Sequence, residues 1–217
     1  MKSQFLRVCP WSILGLLLPF VLGCGIIEPN DIKTLTIKPD GAAGKDAQVA
    51  SGYPTMNYGD SNPLQVGAST LSGWDGIVRS YLQFNLSSIP SDASVVVAAL
   101  WLTHEGESDA PASVTICAHK VTGSWNESTI TWNNQPTSDP TCESTITIPA
   151  GDPGGWRKWF IRELVQGWID GSIPNYGVVL KQTDESTITT WKYFRSSDFP
   201  STSTRPKLEV QYTLPPS

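Results

Sequence analysis

Hydrophobic positions in this chain recur mostly with a period of two, or in short unbroken runs. Leu208, Val210 and Tyr212 alternate with charged and polar residues between Arg205 and Tyr212, the pattern of a half-buried strand. The same reading gives strands near Leu35–Lys38, Gly44–Val49, Leu64–Gly67, Arg79–Leu86, Val114–Val121, Trp156–Ile161, Val178–Lys181 and Trp191–Ser197. Ser94–Thr103 carries Val95 to Leu102 without a break; the Val-rich run predicts a central strand covered on both faces. Trp125–Pro136 has Thr129, Thr131 and Asn133 on one parity and Ile130, Trp132 and Asn134 on the other. It predicts a strand stopped by a turn at Asn-Asn-Gln-Pro. The period changes only once: Leu164, Val165, Trp168 and Ile169 follow helical spacing. A helix of about two turns is expected there, closing one end of a β-sandwich and ended by Asp170-Gly171. Its start carries Phe160-Ile161-Arg162, with no Ser, Thr, Asp or Asn to cap it. Leu71–Gly76 reads as a turn-rich excursion, and Glu105–Pro111 as a solvated acidic loop.

At 217 residues the chain accommodates one domain with a substantial core. Charged residues are only 16%, and there are nine Trp, a profile of an exported β-rich protein in which most indoles serve as core or platform. Met1–Cys24 begins with Lys2 and Arg7 and continues as an apolar run from Trp11 to Leu22. That run is shorter than the roughly 20 residues of a bilayer span and reads as an export signal. Its end, Val21-Leu22-Gly23-Cys24, resembles a bacterial lipobox. The resemblance implies a signal over residues 1–23, lipidation of Cys24, a tether over 24–43, and attachment of the secreted body to the cell envelope. Ordinary signal-peptidase cleavage near Gly23 is the alternative. Without the leader, 13 basic residues face 20 acidic ones, a net −7, which argues against a nucleic-acid partner. Cys117 and Cys142 are the two cysteines beyond Cys24 and the leader. In an exported protein they are expected to pair; two free thiols are the other reading.

Several segments carry a family likeness in order: D-A-x-V at Asp46, N-Y-G at Asn57, L-x-V-G at Leu64, R-S-Y-L-x-F at Arg79, W-x-E-x-T-x-T-W-N-N-Q-P at Trp125, L-V-Q-G-W at Leu164 and N-Y-G-x-x-L-K at Asn175. This pattern resembles the DNRLRE domain, carbohydrate-binding module family 96, over a domain at residues 44–213. Asn85 stands where the family carries Asp. The resemblance implies an antiparallel, jelly-roll-like, all-β sandwich with one short helix. It also implies a non-catalytic module that holds an extracellular polysaccharide, with acidic glycans such as alginate favoured.

From Lys120 onward lie nine of the 13 mature basic residues, several beside aromatics. Trp191, Tyr193 and Arg195 share one strand parity, with Lys181 on the strand before. They are the candidate glycan-binding residues, joining flat ring area to cations for a uronate carboxylate. Trp191 and Tyr193 as core, with Arg195 paired to Asp198, is the competing reading. Arg79 is read first as a guanidinium forked onto a buried carboxylate or carbonyls, fixing its strand, and second as a contact to an acidic sugar. A structural surface protein without sugar binding and a polysaccharide lyase are the rival functions. A lyase needs a positioned base, and neither His104 nor His119 sits in a motif. No metal motif is visible; a structural calcium, with Asp46 or Asp198 as a ligand, is left open.

Overall fold

The computed structural model describes residues 31–40, 43–69, 76–108, 111–187 and 190–216. The signal segment, Cys24, the start of the tether and most of the Leu71–Gly76 excursion lie outside the described residues. Eleven strands form one antiparallel sheet: β1 (Lys33–Ile37), β2 (Gly44–Ala50), β3 (Leu64–Ser69), β4 (Gly76–Phe84), β5 (Ser94–Glu107), β6 (Val114–Val121), β7 (Ser138–Ile148), β8 (Gly155–Phe160), β9 (Val178–Gln182), β10 (Trp191–Phe194) and β11 (Lys207–Thr213). The order is β1-β11-β5-β10-β3-β4-β9-β6-β7, with β2 added to β4 and β8 to β5.

Two strands make the curl. Along β5, Ser94–Trp101 pairs with β11, His104–Glu107 with β10, and Ala99–His104 on the opposite edge with β8. Along β4, residues 76–78 pair with β3, 80–82 with β9 and 78–84 with β2. The sheet thereby folds back on itself as a sandwich. Leu64, Leu82, Leu100, Leu102, Ile116, Trp159, Leu180, Phe194 and Leu208 fill the interior with no exposed area. Each contributes roughly 1.5–3 kcal/mol by leaving water. Trp159 also donates its indole N–H to the Ile116 carbonyl at 3.1 Å, tying β8 to β6.

The helix α1 (Arg162–Asp170) closes one end, burying Leu164, Val165, Trp168 and Ile169. Its first turn has no side-chain cap, as its sequence predicts, and Gly171 ends it at φ 77°, a left-handed position that suits glycine. Gln166 accepts from Val95 N–H at 2.8 Å, and Arg162 donates to the Val95 carbonyl at 2.9 Å, so the helix is fastened to β5.

Four expectations are corrected. Trp125–Pro136 is a run of turns, not a strand. Its amide side chains satisfy the backbone that a ladder would otherwise serve: Asn57 donates to the Glu127 and Ile130 carbonyls, Asn134 to Thr129, and Gln135 to Trp132. The loop lies on an apolar patch of Ala47, Val49, Tyr81, Val121 and Val179, sealed by Trp125 and Ile130. Next, β7 was not expected. It is Thr- and Ser-rich and largely solvated on both sides, so it lacks the alternation that marks a half-buried strand. Third, β5 runs through Glu107 where a solvated loop was expected, because β10 supplies a ladder partner there. Last, β5 is not covered throughout: Val96 and Val97 are 41% and 36% exposed.

Cys117 and Cys142 form a disulfide at a sequence separation of 25, holding β7 to β6. Loop closure of that length stabilises by about 3 kcal/mol. Cys142→Ala is expected to lower stability by about that amount in urea titration under oxidising conditions. Unchanged stability, or quantitative alkylation of both thiols in the oxidised protein, contradicts this.

Candidate functional site

The four residues singled out in the sequence do not form one site. Trp191 is 4% exposed. It packs with Ala50 and Val78, and its indole N–H reaches the Gly76 carbonyl at 3.2 Å. Tyr193 is half-buried against the same group. Between them Lys192 points into the sandwich with no exposed area, donating to Glu107 and to the Pro149 carbonyl. Arg195 lies just past the end of β10. It donates from Nε to Glu105 at 2.7 Å and from Nη1 to Thr204 Oγ1 at 2.6 Å, and lies 4.0 Å over the Phe199 ring. Its carboxylate is therefore Glu105, not Asp198. Lys181 lies on β9, separated from β10 in sheet order by β3 and β4. Its Nζ donates to Ser138 Oγ at 2.9 Å, and burial followed by the nearby Arg79 charge holds its pKa below the ordinary lysine value.

A different surface joins rings to cations. Ladder partners in antiparallel strands project on the same face. Trp101 stands opposite Lys158 of β8 on one side and Lys207 of β11 on the other. The two ammonium groups lie 5.1 and 5.2 Å from the Trp101 ring centre, within cation–π reach. Trp156 meets Trp101 edge-on at 6.3 Å and lies 5.0 Å from Lys207 Nζ. Phe160 is 53% exposed, with Lys158 Nζ 4.8 Å from its ring. Thr103, next along this face of β5, donates to the Thr204 carbonyl at 2.8 Å, and Thr204 Oγ1 receives Arg195. The strip thus runs from Phe160 past Trp101 and Trp156 to the Arg195 guanidinium. Glu209 and Glu105 pair with Lys207 and Arg195. Lys158, which is exposed, has no carboxylate partner among the described residues.

Part of this strip is visible in Trp156-Arg157-Lys158-Trp159-Phe160, where strand parity sends Trp156, Lys158 and Phe160 one way and Trp159 the other. Trp101 is hidden inside an apolar run that carries no polar residue to mark its outer face.

Other polar groups are committed to the framework. Arg79 forks onto Glu185 at 2.8 and 2.6 Å, reaches Gln135 at 3.1 Å and stacks 4.6 Å over Trp132. That geometry matches its expected role on a carboxylate and fastens the Trp125–Pro136 loop to β4. His104 is buried with Nδ1 3.0 Å from Asp152 Oδ1; desolvation lowers its pKa despite that carboxylate. His119 Nδ1 lies 3.0 Å from the Asp139 and Thr141 carbonyls, and burial followed by the Lys181 charge lowers its pKa as well. Ligand atoms of Cys117, His119 and Cys142 lie within 4.8 Å of one another. Both sulfurs are spent in the disulfide, leaving no thiolate for a metal.

An antiparallel β-sandwich presenting a strip of rings and ammonium groups on one outer face has the architecture of a surface-binding module. The chain belongs to carbohydrate-binding module family 96, whose model matches residues 40–212. No curated protein matches the chain closely enough to name a relative.

The two cationic arrangements on β10 and its end differ in burial, and stability separates them. Glu107→Gln leaves the Lys192 ammonium buried without its counter-charge and is expected to cost about 3–5 kcal/mol. Glu105→Gln, at a pair open to water, is expected to cost about 1 kcal/mol or less. Equal effects in chemical denaturation contradict the assignment of Lys192 to the framework.

Proposed function

We propose that the protein is an exported, lipid-anchored, non-catalytic module that holds an acidic polysaccharide, alginate being the favoured example, against the Trp101 strip. The observation that carries this reading is Trp101 lying between two ammonium groups on a solvent-facing sheet. An aromatic face accepts the C–H face of a pyranose, and flanking cations meet uronate carboxylates. Lys158 and Lys207 sit two strand spacings apart, roughly 9.5 Å, a span that suits carboxylates on successive or alternate sugar rings. A net −7 for the chain without its leader makes such segregation of positive charge necessary for a polyanion to bind. Of the residues first singled out, Arg195 keeps a place at the end of the strip. Trp191 and Tyr193 are assigned to packing, and Lys181 to the opposite side of the sheet path.

Titration of sodium alginate and a neutral glucan by calorimetry tests this. Lys158→Ala and Lys207→Ala are each expected to weaken alginate binding about threefold to tenfold, the factor for an exposed charge contact worth about 0.7–1.4 kcal/mol. High salt weakens it further, and Lys181→Ala leaves it unchanged. Absence of alginate affinity, or indifference to both strip lysines, contradicts the proposal and favours a structural envelope protein. Release of unsaturated oligosaccharides would favour a lyase.

The anchor has its own test. Mass spectrometry of protein taken from its native membrane is expected to give a diacyl or triacyl Cys24 N-terminus. An unmodified N-terminus at Cys24 or beyond contradicts lipid anchoring.

A further inference from the structure

One end of the sandwich holds a cleft with polar groups that the framework leaves unused. Lys45 near the start of β2 and Phe84 at the end of β4 line it, with Asn126 and Ser128 of the Trp125–Pro136 loop and Asn175 before β9; it encloses about 500 Å³. Asn85, Leu86 and Asn175 also line a second hollow of about 530 Å³, which continues past Ile89 to Trp168 of α1. The two hollows meet at those three residues. Their size is that of small-ligand sites, and they share no residue with the Trp101 strip.

Several side chains of the lining are held at one end only. Asn126 Oδ1 accepts the Ser128 N–H at 2.9 Å and its hydroxyl at 2.7 Å, and Asn85 Oδ1 accepts the Ser87 N–H at 3.0 Å. A backbone N–H can only donate, so each contact fixes which end of the amide is oxygen. The Nδ2 groups of Asn85 and Asn126 are left as donors with no acceptor among the described residues. Gln83 donates Nε2 to the Asn175 carbonyl at 2.8 Å, and Glu127 Oε1 accepts the Asp46 N–H at 2.8 Å. Gln83 Oε1 and Glu127 Oε2 are left as acceptors with no donor among the described residues. Asn175 is fixed from both sides, donating to the Phe84 carbonyl at 2.9 Å and accepting the Gly177 N–H at 3.1 Å. Lys45 and Glu127 are the charged residues of the lining, one of each sign, and Lys45 is engaged by the Trp125 carbonyl and ring.

We infer that this cleft is a second glycan site, and that it takes a neutral oligosaccharide. A sugar hydroxyl donates and accepts at once, which matches the free donors of Asn85 and Asn126 and the free acceptors of Gln83 and Glu127. A lining with balanced charge and an engaged ammonium has nothing to offer a uronate carboxylate, which would meet Glu127 there. Beyond Asn85 the lining turns apolar through Ile89, Pro90 and Ile169, a surface for the C–H face of a neighbouring ring. The strip selects by charge, whereas this end selects by hydroxyl geometry. The inference does not rest on the Trp101 reading, since it concerns other residues and another class of sugar.

The test titrates the ¹⁵N-labelled full chain with cellotriose, mannotriose and maltotriose, following the indole N–H of Trp168 and the side-chain amides of Asn85 and Asn126. At least one triose is expected to shift these resonances saturably while Trp101 stays in place. Asn126→Ala and Asn85→Ala are each expected to weaken that binding about threefold to tenfold, the factor for one lost hydrogen bond. Ser128→Trp, at an exposed position of the lining, fills the cleft without touching the Asn85 turn and is expected to abolish binding. No saturable shift with any of the three sugars overturns the site. Shifts centred on Trp101, or affinity unchanged in Asn126→Ala and Ser128→Trp, overturn its location. A triuronate that moves Trp168 as strongly overturns the choice of a neutral ligand.

Discussion

Most of this molecule depends on the way β5 is shared. Over 14 residues it pairs with three different strands, because no buried stretch of backbone can leave its amides and carbonyls unpaired. That sharing turns a flat sheet into a sandwich, and it sets every register that matters on the outer face. Trp101 stands between Lys158 and Lys207 because β8 and β11 meet β5 at that residue from opposite edges. The same strand carries Glu105 and Glu107 past the barrier where a loop was expected. A register shift in the β5–β10 ladder at Gly106 separates the two, giving one carboxylate to half-buried Arg195 and the other to buried Lys192.

The second organising feature is the Trp125–Pro136 loop. It buries Trp125 and Ile130 on the outer side of β2 and β4, and is held by polar contacts to Asn57, Arg79 and Tyr81. Its many uncommon residues therefore have a fold-making purpose: amides that satisfy a turn-rich backbone and indoles that cover an apolar patch. Glu127 in the same loop accepts the Asp46 N–H at 2.8 Å, so the segment that seals the sheet is also tied to the β2 backbone. The Trp101 strip lies elsewhere, on β5, β8 and β11.

Periodicity made the framework legible where one face is dry and the other wet. Leu208, Val210 and Tyr212 alternate because β11 lies on the core, and Leu164 to Ile169 follow the helix period because α1 closes one end. The cysteine pair was legible from the cysteine count behind a leader that reads as an export signal, and Arg79 from the chemistry of a guanidinium in a half-buried strand. The Trp125 loop was not, because alternating Thr and Ile satisfy the strand pattern even when side-chain amides have replaced the ladder. β7 escaped notice because an edge strand held by a disulfide and one neighbour needs no apolar face. For the site, Lys158 and Arg195 carry a local signal beside aromatics, whereas Trp191 and Trp101 are told apart only by which neighbours cover them. Parity puts residues on a face; it does not say whether that face meets solvent or the loop before β3.

The central claim is that an acidic glycan lies along Trp101. The most direct measurement is a titration of ¹⁵N-labelled protein with a short oligouronate, following the indole N–H resonances. Of the chain's nine Trp, Trp101 and Trp156 are predicted to shift most, and to lose that response in the Lys158→Ala, Lys207→Ala double variant. Saturable shifts centred instead on Trp132 or Trp125, with Trp101 unmoved, would contradict the account.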